Sequence, residues 1–205
     1  MDFFTVILGW IGIVLFLITA ISFSKLANIN EFGMIHLLMA MMYTCWVPIP
    51  IIYNRLLNGE MIETGTIFGL LYLIMLLFTM TLQTGHIVHI DRVGNNDTEA
   101  MDRSNHMMAT LSGPFELMAN VIKCIWALLL GFAFWENQHL IMAGMMFLFS
   151  LLILYYLPLL FKSSLVRSIK ILEKVKSNTY FINLETFAFF LILIVFLTLQ
   201  VIFSE

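Results

Sequence analysis

Six long apolar runs dominate this chain and leave few folds open to it. They lie at about residues 3–23, 34–53, 67–90, 115–135, 140–161 and 187–203. Each comes near the ~20 residues that a helix needs to cross a hydrocarbon core. The runs are apolar on both faces, whereas a membrane barrel strand is roughly ten residues of alternating character. A bilayer holds no water to satisfy backbone amides, so helices are the remaining way to span it. The chain is 61% hydrophobic and 11% charged, against about half and a quarter in soluble domains. The predicted fold class is all-α: a polytopic integral membrane protein with about six transmembrane helices in one bundle, forming a single membrane domain over residues 1–205. The opening "MDFFTVILGW" lacks the basic stretch and small-residue cleavage site of a signal peptide, so the first run is expected to stay as a span.

Charge sets the expected orientation. Lys25, Arg92, Arg103, Lys162, Arg167, Lys170, Lys174 and Lys176 fall in the first, third and fifth connections, and only Arg55 in the others. Basic loops stay on the cytosolic side, so both termini are expected outside a cell membrane that the chain crosses repeatedly. The cytosolic loop 91–112 carries a turn and capping signal at Asn96 and Glu99, which predicts a short helix over about 98–109. Gly113 and Pro114 then suit the first positions of the fourth span, and Glu116 its third, where a carboxylate complements the helix dipole. In segment 162–180, Leu165, Ile169, Leu172 and Val175 recur at helical spacing opposite Arg167, Lys170 and Lys174. That pattern fits either a short amphipathic helix on the inner leaflet, contacting anionic lipid or a partner, or an ordinary loop whose basic residues set the topology. Pro48 and Pro50 should kink the second span or leave it non-helical there. Nothing in the chain is basic and aromatic together as nucleic-acid binding requires.

Against this apolar background the polar residues inside spans stand out. Glu116, Asn120 and Lys123 share one face of the fourth span, and Thr79, Gln83 and His86 one face of the third. In an antiparallel hairpin, residues at equal depth have a roughly constant sum of residue numbers. The six residues satisfy this as His86 with Glu116, Gln83 with Asn120 and Thr79 with Lys123, a ladder of three polar rungs. Polar groups in lipid are costly unless they face the bundle interior and find partners. Lys123 is about ten residues into its span, near the midplane, where an unpaired ammonium has few bland explanations.

Histidines form the second pattern. His36, His86 and His89 are expected at similar depth near the cytosolic side, and His86 with His89 are neighbours on one helix face. Such residues can bind a transition metal or serve as axial ligands to haem. No HExxH, CxxCH, P-loop or Gly-x-Ser-x-Gly elbow accompanies them. The 15 methionines fall in different compartments, as fillers of apolar spans do. Cys45 and Cys124 form no spaced framework.

Three functions follow from these patterns. The ladder suits a small transporter, channel or permease-like subunit with Lys123 at its deep end. The same ladder as packing glue, with a basic loop for docking, suits a non-catalytic accessory subunit. The histidines suit a haem- or metal-binding redox protein.

Overall fold

A computed structural model describes residues 2–93, 106, 109–167 and 169–203. Among them the chain is all-helical, with six helices long and apolar enough to cross a membrane. The spans are Phe3–Asn28, Phe32–Leu56, Glu60–Arg92, Gly113–Glu136, Leu140–Ser164 and Thr179–Phe203. The short helix expected around residue 98 lies outside the described residues. The 57–59 and 137–139 turns share one end of the bundle, where Asn137 Nδ2 donates to the Asn58 carbonyl at 2.9 Å. The opposite end carries the 29–31 and 165–178 connections.

The fourth span is the centre of the bundle. Two-thirds (67%) of its apolar window is buried, against 28% for the fifth span. It packs along the third and fifth spans, while the first packs along the second and sixth. The sixth span reaches the fourth through large side chains: Phe189 and Phe190 meet Trp126 at ring centroid distances of 5.2 and 6.1 Å. A polar stripe on the fourth span therefore faces protein rather than lipid.

Proline shapes three of the spans. The second is interrupted only at Val47 and resumes at once with Pro48 as its first residue. The Val47 N–H takes the Thr44 carbonyl at 3.3 Å, which Pro48 cannot. The fifth span turns at Leu151 and Leu152, where 3₁₀-type bonds run from Leu154 to Leu151 and from Tyr155 to Leu152. The fourth span does not begin at Gly113 and Pro114 as a capped start. Residues 109–110 are helical, Leu111–Phe115 form a π turn with Pro114 inside it, and the α-helix continues at Glu116. A wider turn accommodates the missing proline N–H without ending the helix.

Of the two readings of segment 162–180, the described residues follow the loop rather than the amphipathic helix. The fifth span runs through Ser164, and only Lys170–Glu173 forms a further single turn, with no buried residue. Lys162 Nζ donates to the Val175 carbonyl at 2.7 Å, and the Asn178 N–H donates to Tyr155 Oη at 3.0 Å. These bonds fold the segment back onto the fifth span, which prevents a continuous amphipathic helix. Arg167, Lys170 and Lys174 are all exposed. Asn178 Oδ1 then accepts the Phe181 N–H at 3.1 Å, an N-cap bond that starts the sixth helix at Thr179.

The first span is held close by glycine. Trp46 is fully buried, and its Nε1 donates to the Gly9 carbonyl at 3.2 Å. A Cβ at Gly12 would lie 2.2 Å from that same indole nitrogen. Gly12→Ala should therefore displace Trp46 and cost about 1–3 kcal/mol, the usual penalty of overpacking. Thermal unfolding of the detergent-solubilised variant measures this; an unchanged midpoint would mean that the first span yields freely.

Candidate functional site

Lys123 does not pair with Thr79 of the third span. Its side chain, 1% exposed, turns to the sixth, where Nζ forms an ion pair with Glu185 Oε2 at 2.5 Å. Glu185 is itself only 4% exposed at its side chain. Lys123 Nζ also donates to Thr186 Oγ1 at 2.9 Å and lies 5.5 Å from the ring centroids of Tyr72 and Tyr156. The two rings supply a cation–π surround in addition to the carboxylate. The meeting follows from helix geometry. Side chains lean toward the N-terminus of their own helix, and the fourth and sixth spans both begin at the same end of the bundle. Lys123 is ~15 Å along its span from Gly113 and Glu185 ~9 Å from Thr179 at 1.5 Å per residue, and the lysine stem closes the difference.

The carboxylate of Glu185 is used asymmetrically. Oε2 takes Lys123, the Tyr156 hydroxyl at 3.0 Å and the Thr186 hydroxyl at 3.3 Å. Oε1 is buried and, among the described residues, has no hydrogen-bond partner. The same holds for Thr79 Oγ1, Asn120 Oδ1 and Trp126 Nε1. Tyr43 stands edge-on to Tyr72, with ring centroids 6.4 Å apart, and lies within electrostatic reach of both Glu116 and Glu185.

Toward the end that carries the 165–178 connection, Gln83 Nε2 donates to Glu116 Oε1 at 2.8 Å. Asn120 Nδ2 bonds its own helix at the Glu116 carbonyl, at 2.9 Å. Thr79 and Gln83 are buried, Glu116 and His86 are half-buried. The facing stripes thus exist in the third and fourth spans, but their pairing differs from the expected ladder. Gln83 meets Glu116 instead of Asn120, and Lys123 passes over Thr79 for a carboxylate. An ammonium in a low-dielectric interior gains far more from an opposite charge than from a hydroxyl. On the other side of the ion pair, from about one to three turns further along both helices, aromatic side chains fill the bundle. Trp46 stacks on Phe190 at 4.0 Å, Tyr53 meets Phe134 at 5.6 Å and Phe134 meets Phe196 at 5.2 Å.

Glu185 and its neighbours Thr186, Tyr72 and Tyr156 were not among the expected site residues. The apolar run 187–203 begins after Glu185-Thr186, although its shortness also allows a helix start nearer Phe181. The signal was Asn178, a good helix cap in the right place, which puts Glu185 inside the helix. The histidine set is less concentrated. His36 Nδ1 lies 2.7 Å from the Phe32 carbonyl, and His89 is exposed. Among the described residues no three His, Cys, Asp or Glu side chains are grouped as a metal site would group them. No protein-family model, characterised protein or solved structure matches the chain, so its function must be argued from this site.

Proposed function

We propose that the protein is a small transport protein of the cell membrane, a channel or permease-like subunit, with the Lys123–Glu185 pair as its central station. Both termini face outward in this reading, and the basic connections face the cytosol, as the eight-to-one distribution of Lys and Arg between the two sets of connections supports.

One observation carries the proposal. The ion pair sits deep in the bundle, yet among the described residues Glu185 Oε1, and Asn120 Oδ1 and Thr79 Oγ1 on the fourth and third spans, are buried without a hydrogen-bond partner. Each buried, unsatisfied group costs about 1–3 kcal/mol. A pair kept only for packing would have its remaining lone pairs satisfied. In this reading, Gln83 and Glu116 join these groups in a polar column from the cytosolic end to the pair. Aromatic side chains close the other half. Intramembrane ionisable residues that face such a column mark ion and substrate paths.

Shrink–swell light scattering of proteoliposomes, challenged in turn with salts and neutral solutes, tests this. Flux above that of protein-free vesicles is expected for wild type and not for Lys123→Met/Glu185→Leu, which removes both charges together. A monodisperse double variant with undiminished flux, or a wild type with none, would assign the pair to packing and the protein to an accessory role.

A further inference from the structure

The Lys123–Glu185 site is unusually rich in donors. Around one carboxylate oxygen stand the Lys123 ammonium, the Tyr156 hydroxyl and the Thr186 hydroxyl. A fourth hydroxyl, that of Tyr72, lies within reach of Thr186 and of Glu185. Glu185 is therefore the resident anion of an anion-coordinating shell, and its Oε1 is the one buried carboxylate oxygen of that shell left without a donor. Taking the transport reading as its basis, we propose that this site binds a small monovalent anion together with one proton, Glu185 acting as the internal stand-in that the anion displaces.

The charges balance. With Glu185 ionised, the pair is neutral and the donors are occupied. When a proton from water forms an O–H bond at Oε1, Glu185 becomes neutral and Lys123 is left as a buried cation without a counter-ion. Such a cation is strongly unfavourable in a low-dielectric interior. An anion entering the column cancels it by accepting from Lys123 Nζ, Tyr156 Oη and Thr186 Oγ1. Proton plus anion then leave the site as neutral as it began, the condition for crossing a bilayer cheaply. The anion must be about the size of the carboxylate group that it replaces.

The groups that face Glu185 come from several spans. The second contributes Tyr43, the third Tyr72, the fourth Lys123 and Cys124, and the fifth Tyr156. The first packs Phe16 on Phe187, with ring centroids 4.8 Å apart, and presents no charge in that contact. Lys123 is the one cation of this set, and Glu185 its only carboxylate.

Linkage makes the proposal measurable without any transport assay. Anion binding and proton binding must promote each other equally. Calorimetry of the solubilised wild type with sodium nitrate, sodium chloride and sodium formate, against sodium gluconate for ionic strength, should show binding accompanied by uptake of one proton. The affinity should fall about tenfold per pH unit once Glu185 is ionised. Glu185→Gln, neutral at every pH, should bind the same anion with no proton uptake and no pH dependence. Lys123→Met should not bind it. Binding by wild type that is independent of pH, or no binding of any of the three anions, overturns the proposal. Flux that depends on the pair but shows no proton–anion linkage would overturn this inference alone and leave the transport reading standing.

Discussion

Lys123→Met is expected to destabilise the protein by about 3–5 kcal/mol, because it leaves the Glu185 carboxylate buried without a counter-charge. Glu185→Leu should cost a similar amount from the opposite side, stranding the ammonium. The double variant Lys123→Met/Glu185→Leu should recover most of the loss. Apolar residues of similar volume often replace a buried ion pair at no net cost, since the desolvation of both charges disappears with them. Unfolding midpoints of the four detergent-solubilised proteins form a double-mutant cycle. Losses that simply add would show that the two side chains do not stabilise each other. The same cycle separates stability from function, for the double variant is expected to fold well and transport nothing.

Trp46→Ala is the second large effect. The indole is fully buried, stacked 4.0 Å from Phe190, and bonded to the Gly9 carbonyl at 3.2 Å. Lipid is as apolar as the bundle interior, so the water-transfer part of the usual core penalty falls away. What is left is the cavity, the lost dispersion contacts and the lost indole hydrogen bond. These point to about 3 kcal/mol, the low end of the range for truncating a buried aromatic. Trp46→Phe keeps a ring against Phe190 and loses the bond, about 1 kcal/mol, together with the smaller share of contacts made by the rest of the indole. Chemical or thermal unfolding followed for both variants distinguishes the contributions. Equal losses would assign the stability to the hydrogen bond and leave little to the stacking.

Both effects depend on residues that the sequence marks very differently. Lys123 is conspicuous, a charge near the middle of an apolar run, and its burial follows from that position alone. Its partner is inconspicuous. Glu185 sits at the edge of an apolar run and reads as the loop before a helix, until Asn178 is taken as the helix cap. The ladder illustrates the same limit. Spacing puts Gln83, Thr79, Glu116 and Asn120 on facing stripes of the third and fourth spans, and they do lie there. Spacing does not give the rotation of each helix or its shift along its neighbour. The pairing therefore slips from Asn120 to Glu116. In segment 162–180, helical periodicity is overruled by Lys162 and Tyr155, whose bonds to Val175 and Asn178 bring the chain back to the fifth span.

What the sequence determined by itself is everything that the bilayer imposes: the all-helical class, the six spans, and the presence of polar residues that must face inward. Those follow because unsatisfied backbone and exposed polar groups are intolerable in hydrocarbon whichever helices are neighbours. Only the tertiary structure decided which charges meet. An ion pair forms between residues 62 positions apart because the first and sixth spans close the bundle around the fourth. No local propensity encodes that adjacency. It arises from the fit of Gly12 to Trp46, of Trp46 to Phe190 and of Phe189 to Trp126, contacts that exist only once all the helices are packed.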